Sequence, residues 1–193
     1  MKKNRFPYLA MLIAMAFMMC NTSVIAQDGP RKSPKATVSQ RIGVDTDIVI
    51  DYSRPAVKGR TIWGDLVPYG MNPGNKYSKD KPYPWRAGAN ENTTIEFNHD
   101  LIIEGKKIPA GKYSIHMLPS QTTFKIMFNK NNSAWGSFSY NADEDVLAVS
   151  VTPVKGENVE WLEYGFDELS DNGATAYLKW EKLQIPFKIE LVK

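Results

Sequence analysis

Residues 85–97, WRAGANENTTIEF, set one tryptophan, one arginine, one carboxylate and two asparagines directly ahead of an alternating strand pattern. Arg86 offers five N–H donors in a planar fork, Glu91 only accepts when ionised, and Asn90 and Asn92 each do both. Trp63, Tyr69 and Trp85 add flat apolar faces, and Arg54 and Arg60 add two more guanidinium groups from the same part of the chain. Such a set would suit a glycan-like or small polar ligand: C–H faces stack on the rings while polar groups bracket the hydroxyls. The same residues also fit a structural corner. There Arg86 and Glu91 pair internally, Gly88 makes a tight turn and the asparagines satisfy backbone groups.

Other chemistry has less to build on. Asp65 and Glu91 stand at opposite ends of one long connection, and folding could bring them to one cleft as general acid and base of a carbohydrate hydrolase. The histidines are His99 and His116. If DLIIEG and KYSIHML form a hairpin closed by KKIPAG, the two could meet beside Glu96, but their spacing matches no metal motif. NADED at 141–145 lacks the spaced ligands of a calcium loop. No GxSxG elbow, phosphate loop or dinucleotide fingerprint occurs, so neither a metal nor a cofactor is expected.

The elements that must position these residues read as strands. Period-two segments occur at ATVSQRIGV, TDIVIDYS, TTIEFN, DLIIEG, KYSIHML, TTFKIMFN, WGSFSYN, VLAVSVTP, EWLEYGFD, ATAYLKWE and IPFKIEL. Turn chemistry separates them, as at Asp171-Asn172-Gly173. About eleven short strands predict an all-β, single-domain antiparallel two-sheet sandwich of jelly-roll type. Residues 53–92 are too long for a plain connection, and long loops on such a scaffold are where function concentrates.

Residues 1–26 have a basic start (Lys2, Lys3, Arg5), an apolar run from Leu9 to Met19 and a Val24-Ile25-Ala26 end. That layout predicts a signal peptide cleaved after Ala26, with a run too short to span a bilayer, and a periplasmic or secreted protein. Lipid attachment at Cys20 is the rival, disfavoured by Met19 before it. Residues 27–35 read as a disordered lead-in and residues 36–193 as the domain. Without residues 1–26 the chain holds 21 basic and 21 acidic side chains. A neutral chain has no general attraction for nucleic acid or anionic membranes. Cleavage also removes Cys20, the single cysteine, leaving neither disulfide nor thiol nucleophile.

The stretches YSRPAVKGRTIWGDLVPYG, WRAGANENTTIEF, IEGKKIPAGKYSIHMLP and FNKNNSAWGSFSYNADEDVLAVSVTP resemble the uncharacterised DUF2911 family, exported proteins chiefly of Bacteroidetes-type bacteria. The resemblance runs from about Ser33 to Ile189. It implies export and brings no activity. In the family the YG pair runs almost directly into WR, whereas here residues 71–84, MNPGNKYSKDKPYP, separate Tyr69-Gly70 from Trp85-Arg86. The expected function is a non-enzymatic binding module of the cell envelope at the 53–92 loop. The alternatives are the Asp65/Glu91 hydrolase and a structural subunit that docks a protein partner.

Overall fold

The computed structural model describes residues 30–192; the expected signal peptide and cleavage site lie outside them. Two antiparallel sheets face one another. The larger has six strands: β1 (Lys35–Ile42), β2 (Thr46–Ser53), β3 (Thr93–Phe97), β6 (Gly111–Pro119), β7 (Phe124–Asn129) and β8 (Asp145–Val151), side by side in that order. The smaller runs β5 (Lys106–Ile108), β4 (Leu101–Ile103), β10 (Gly173–Leu191), β9 (Val154–Ser170). Lys35 already belongs to β1, and just before it Pro34 accepts a backbone hydrogen bond from Arg54 at 2.8 Å.

The period-two pattern explains which faces meet. In β2, Ile48, Ile50 and Tyr52 are buried while the residues between them are half-exposed. Val38 and Ile95 flank Ile50 in register, and Ile115 pairs with Phe128. The smaller sheet answers with Leu162, Tyr164, Ala176, Leu178, Trp180, Phe187 and Ile189, all buried. Contact between sheets is direct: Phe128 meets Phe187 edge-on at 6.2 Å between ring centroids, and Tyr52 meets Tyr164 at 4.9 Å. Each large side chain so enclosed contributes roughly 1.5–3 kcal/mol relative to exposure.

The all-β two-sheet reading holds, with ten strands. WGSFSYN is not a strand. It forms a 3-10 turn at Gly136–Ser139, and a second follows at Ala142–Glu144. Gly136 sits at φ +66° and the Asn141 side chain accepts from the Asp143 N–H, so turn chemistry overrides the alternation. ATAYLKWE and IPFKIEL are halves of one strand, β10. Pro186 is tolerated within it because it falls between the last pair with β9, Gln184–Val154, and the pairs with β4 that include Ile189–Ile103. KKIPAG does not close a hairpin between β4 and β6. Glu104 and Gly105, at φ 49° and 76°, make a two-residue turn that pairs β4 with β5. β4 and β6 consequently lie in different sheets, which separates His99 from His116.

β6 and β7 are buried on both faces along their middles. Ile115, Met117, Ile126 and Phe128 point into the sandwich. On the other face His116 pairs with Met127 and Ser114 with Asn129, and the segment between β7 and β8 covers them. Asn129 anchors that cover, donating to the Asn141 carbonyl at 2.9 Å and to Asp145 at 2.8 Å.

Candidate functional site

Residues 54–92, between β2 and β3, are fastened along their length. Val57 N–H donates to Glu160 O and Leu162 N–H to Pro55 O; farther on, Gly70 N–H donates to Pro119 O. Asn72 and Tyr83 exchange two backbone bonds, as do Trp85 and Met117. The second exchange matters most. Beyond the end of β3, Trp85 takes the place beside β6 that a longer β3 would have filled, with its side chain on the same face as that of Met117. Trp85 therefore enters the core, where it is 8% exposed, and Arg86 points to the opposite face. Adjacent residues thus serve opposite sides of the sheet.

On the core side Trp85, Trp63 and Trp180 form a cluster with Phe124. Trp85 and Trp180 stack at 6.1 Å, while Trp63 meets Trp85, Trp180 and Phe124 edge-on at 5.7, 6.0 and 5.4 Å. A cleft of about 590 Å³ opens above, lined by Lys32, Lys58, Arg60, Leu66, Trp85 and Trp180. Arg60 uses its N–H groups on the Val57 and Ala56 carbonyls of its own turn, at 3.1 and 2.5 Å. Arg54 is a tie to β9 through Leu162 O at 2.8 Å and Glu163 at 3.4 Å. Tyr69 is exposed, its ring lying over Gly64.

The expected Arg86–Glu91 pair does not form. Glu91 lies against Lys35 at 3.4 Å and the Ser53 hydroxyl at 3.3 Å, in a separate small pocket with Asn92. Asn92 is buried, with its amide donating to Asn131 O at 2.9 Å. The left-handed residues of this turn are Ala87 and Asn90, at φ 51° and 60°, and not Gly88. Gly88 is required for closeness instead, since a Cβ there would stand 2.6 Å from Thr93 Oγ1. Asp65 is exposed, and it shares none of the described cavities with Glu91. His99 lies 3.4 Å from Asp45 on the surface, and no cluster of three metal-ligating side chains occurs among the described residues.

Arg86 builds a different site. Its Nη1 donates to Asn90 O, and its guanidinium carbon lies 4.6 Å from the centroid of the Phe138 ring. No carboxylate of the described residues lies within 4 Å of it. Burial pulls its pKa down, though a guanidinium remains charged in proteins. Around it opens a groove of about 630 Å³ lined by Tyr77, Arg86, Asn90, Trp135, Phe138 and Ser139. Trp135 is 58% exposed, so its ring is available to stack, whereas the Tyr77 ring, though 66% exposed, lies 5.5 Å from Phe138 and carries the Lys76 ammonium 5.0 Å from its centroid. Tyr77 comes from the 71–84 segment, which closes on itself: Asn75 accepts from Tyr77 N–H and donates to the Tyr83 hydroxyl, both at 2.8 Å.

Beneath the groove, His116 is 2% exposed and bonded at both nitrogens, to Ser114 at 3.0 Å and Ser137 at 2.8 Å. Burial first, and the Arg86 charge second, lower its pKa to about 4. It is neutral, and among the described residues Arg86 is the cation that lines the groove. Burial, and a bond to Asp145, push the Tyr140 hydroxyl pKa upward beside it.

Trp135 and Phe138 escape sequence reasoning because WGSFSYN alternates like a strand. The available signals were Gly136 and the inclusion of this stretch in the recurring motif. No curated protein and no solved structure matches the chain. A model of proteins of unknown function matches residues 33–189, nearly the whole of the described fold and every wall of the groove, and the chain belongs to that family, DUF2911.

Proposed function

We propose that this protein is a non-enzymatic binding module of the cell envelope, holding a glycan-like or small polar ligand in the groove around Arg86. The observation that carries this reading is a half-buried guanidinium without a carboxylate partner among the described residues, facing an open groove lined by the exposed Tyr77 and Trp135. The groove volume falls within the 300–1,000 Å³ usual for small-molecule sites. The opposite cleft is the weaker candidate, because its tryptophans Trp85 and Trp180 are buried and its Arg60 is occupied by carbonyls. Binding is favoured over hydrolysis because Asp65 and Glu91 share no cavity described here and both His116 nitrogens are engaged. The leader pattern of residues 1–26 supports an envelope or secreted location.

The test is a glycan and muropeptide binding screen on residues 27–193, with turnover followed for every hit. At least one ligand is expected to bind without product formation and to lose affinity with Trp135→Ala. Product formation abolished by Asp65→Asn or Glu91→Gln would turn the reading toward a hydrolase. A screen without hits would overturn it.

A further inference from the structure

We infer that the ligand of the Arg86 groove is a six-membered ring bearing a carboxylate, of the acidic-sugar kind; the inference rests on the binding reading above and names its ligand class.

The charge comes first. Arg41 and Arg54 each find a carboxylate within the chain, at 2.6 and 3.4 Å. Arg86, half-buried, has none among the described residues. A partly desolvated cation without a counter-charge is unfavourable, and an arriving anion relieves it. Among the described residues no acidic side chain lines the groove to oppose that anion, and His116 below is neutral.

The geometry of the donors narrows the choice. Of the guanidinium nitrogens, Nη1 is engaged by Asn90 O, and one face lies on Phe138. The Nε/Nη2 edge makes no bond to the described residues. Two parallel N–H groups along one edge match the two oxygens of a carboxylate. Asn90 donates its amide N–H to Ser33 O at 3.3 Å, which leaves its amide oxygen for a ligand hydroxyl. Ser139 lines the same groove and can either donate or accept. Trp135 offers a flat face suited to ring C–H groups, Tyr77 adds a second aromatic wall, and Phe138 lies against the guanidinium. Charge at one end, ring faces at the sides and hydroxyl partners at the rim together describe an acidic pyranose.

Calorimetric titration of residues 27–193 with glucuronate, glucose, benzoate and inorganic phosphate tests this. Glucuronate is expected to bind about tenfold or more tightly than glucose, a difference of about 1.4 kcal/mol. Arg86→Gln should erase that preference, bringing glucuronate affinity down to that of glucose in the same variant. Arg86→Lys, which keeps the charge and loses the fork, should retain part of it, and Trp135→Ala should weaken both sugars. Circular dichroism of each variant verifies that it is folded. Glucose binding as tightly as glucuronate would refute the anion while leaving the proposed function standing. Failure of both sugars in the parent protein would refute the acidic sugar, and the proposed function would stand or fall separately on the glycan and muropeptide screen. Benzoate matching glucuronate would keep the carboxylate ring and refute the sugar, and phosphate displacing glucuronate at equal concentration would refute the carboxylate.

Discussion

Gly136 is held at φ +66°, and a Cβ built on it would overlap the Arg86 guanidinium. Gly136→Ala therefore meets two penalties, the left-handed backbone at roughly 1–2 kcal/mol and the displaced arginine. Its melting temperature should fall, and adding Arg86→Ala should recover only the steric part, a comparison that two thermal melts provide. Trp85→Ala empties a core position and should cost about 3–5 kcal/mol. Arg86→Met loses the bond to Asn90 O and the guanidinium contact with Phe138, removes a charge that no carboxylate of the described residues compensates, and should change stability by about 1 kcal/mol or less. Comparable losses for the two would overturn the assignment of opposite faces. His116 supplies the pH dependence. Its folded pKa, about 4, lies below the unfolded value near 6.5, so the unfolded chain takes up a proton that the fold excludes. Stability should be full above pH 6.5 and fall by about 3 kcal/mol as pH drops toward 4. His116→Gln should flatten that stretch of the profile in denaturant titrations. The chemistry of Trp85 and Arg86 was legible in their types, but their faces were not. A period of two says only that neighbours diverge; the pairing of Trp85 with Met117 decides which one enters the core.

At the scale of elements, the 53–92 connection is an irregular frame pinned to β6 and β9, and its 71–84 segment is a closed excursion. Asn72 and Tyr83 already exchange backbone bonds at 2.8 and 3.2 Å, the geometry from which a two-residue hairpin can be built. Replacing residues 73–82 by Asn-Gly should leave stability within roughly 1 kcal/mol, since loop-closure entropy changes slowly with length. The same change removes Tyr77 and should weaken ring binding in the groove; unaltered affinity would exclude the segment as a wall. Strand positions were legible wherever alternation met turn residues, as in β2, β3 and the Asp171-Asn172-Gly173 hairpin between β9 and β10. They were not legible at WGSFSYN, where a glycine at positive φ breaks an alternating pattern. Nor were they at β5, three residues long with two of them exposed.

For the whole molecule, hydrophobic alternation sufficed to announce two packed sheets, because each strand must bury one face. Sheet order was beyond it. Whether β4 turns back on β5 or on β6 is decided by Glu104 and Gly105, and a glutamate at φ 49° is not what turn statistics anticipate. Residues 30–192 should give a far-ultraviolet circular dichroism spectrum dominated by β-structure, with helical content below about a fifth. They contain no cysteine, so their melting temperature should be the same with and without a thiol reductant. A reductant-dependent shift would mean that something outside these residues contributes to the fold.

The tryptophan cluster described with the site has an optical consequence. Trp63, Trp85 and Trp180 come from three separated parts of the chain, and their rings lie 5.7 to 6.1 Å apart. Indole transitions held at such distances and fixed angles couple as excitons, producing a signed couplet in ultraviolet circular dichroism. That couplet depends on the 53–92 connection being docked, so it can vanish while the strands of both sheets persist. Trp135 stands outside the cluster with its ring in the groove, where its fluorescence responds to occupancy. One chain thus contains two native chromophoric sensors, one for seating of the connection and one for arrival of a guest.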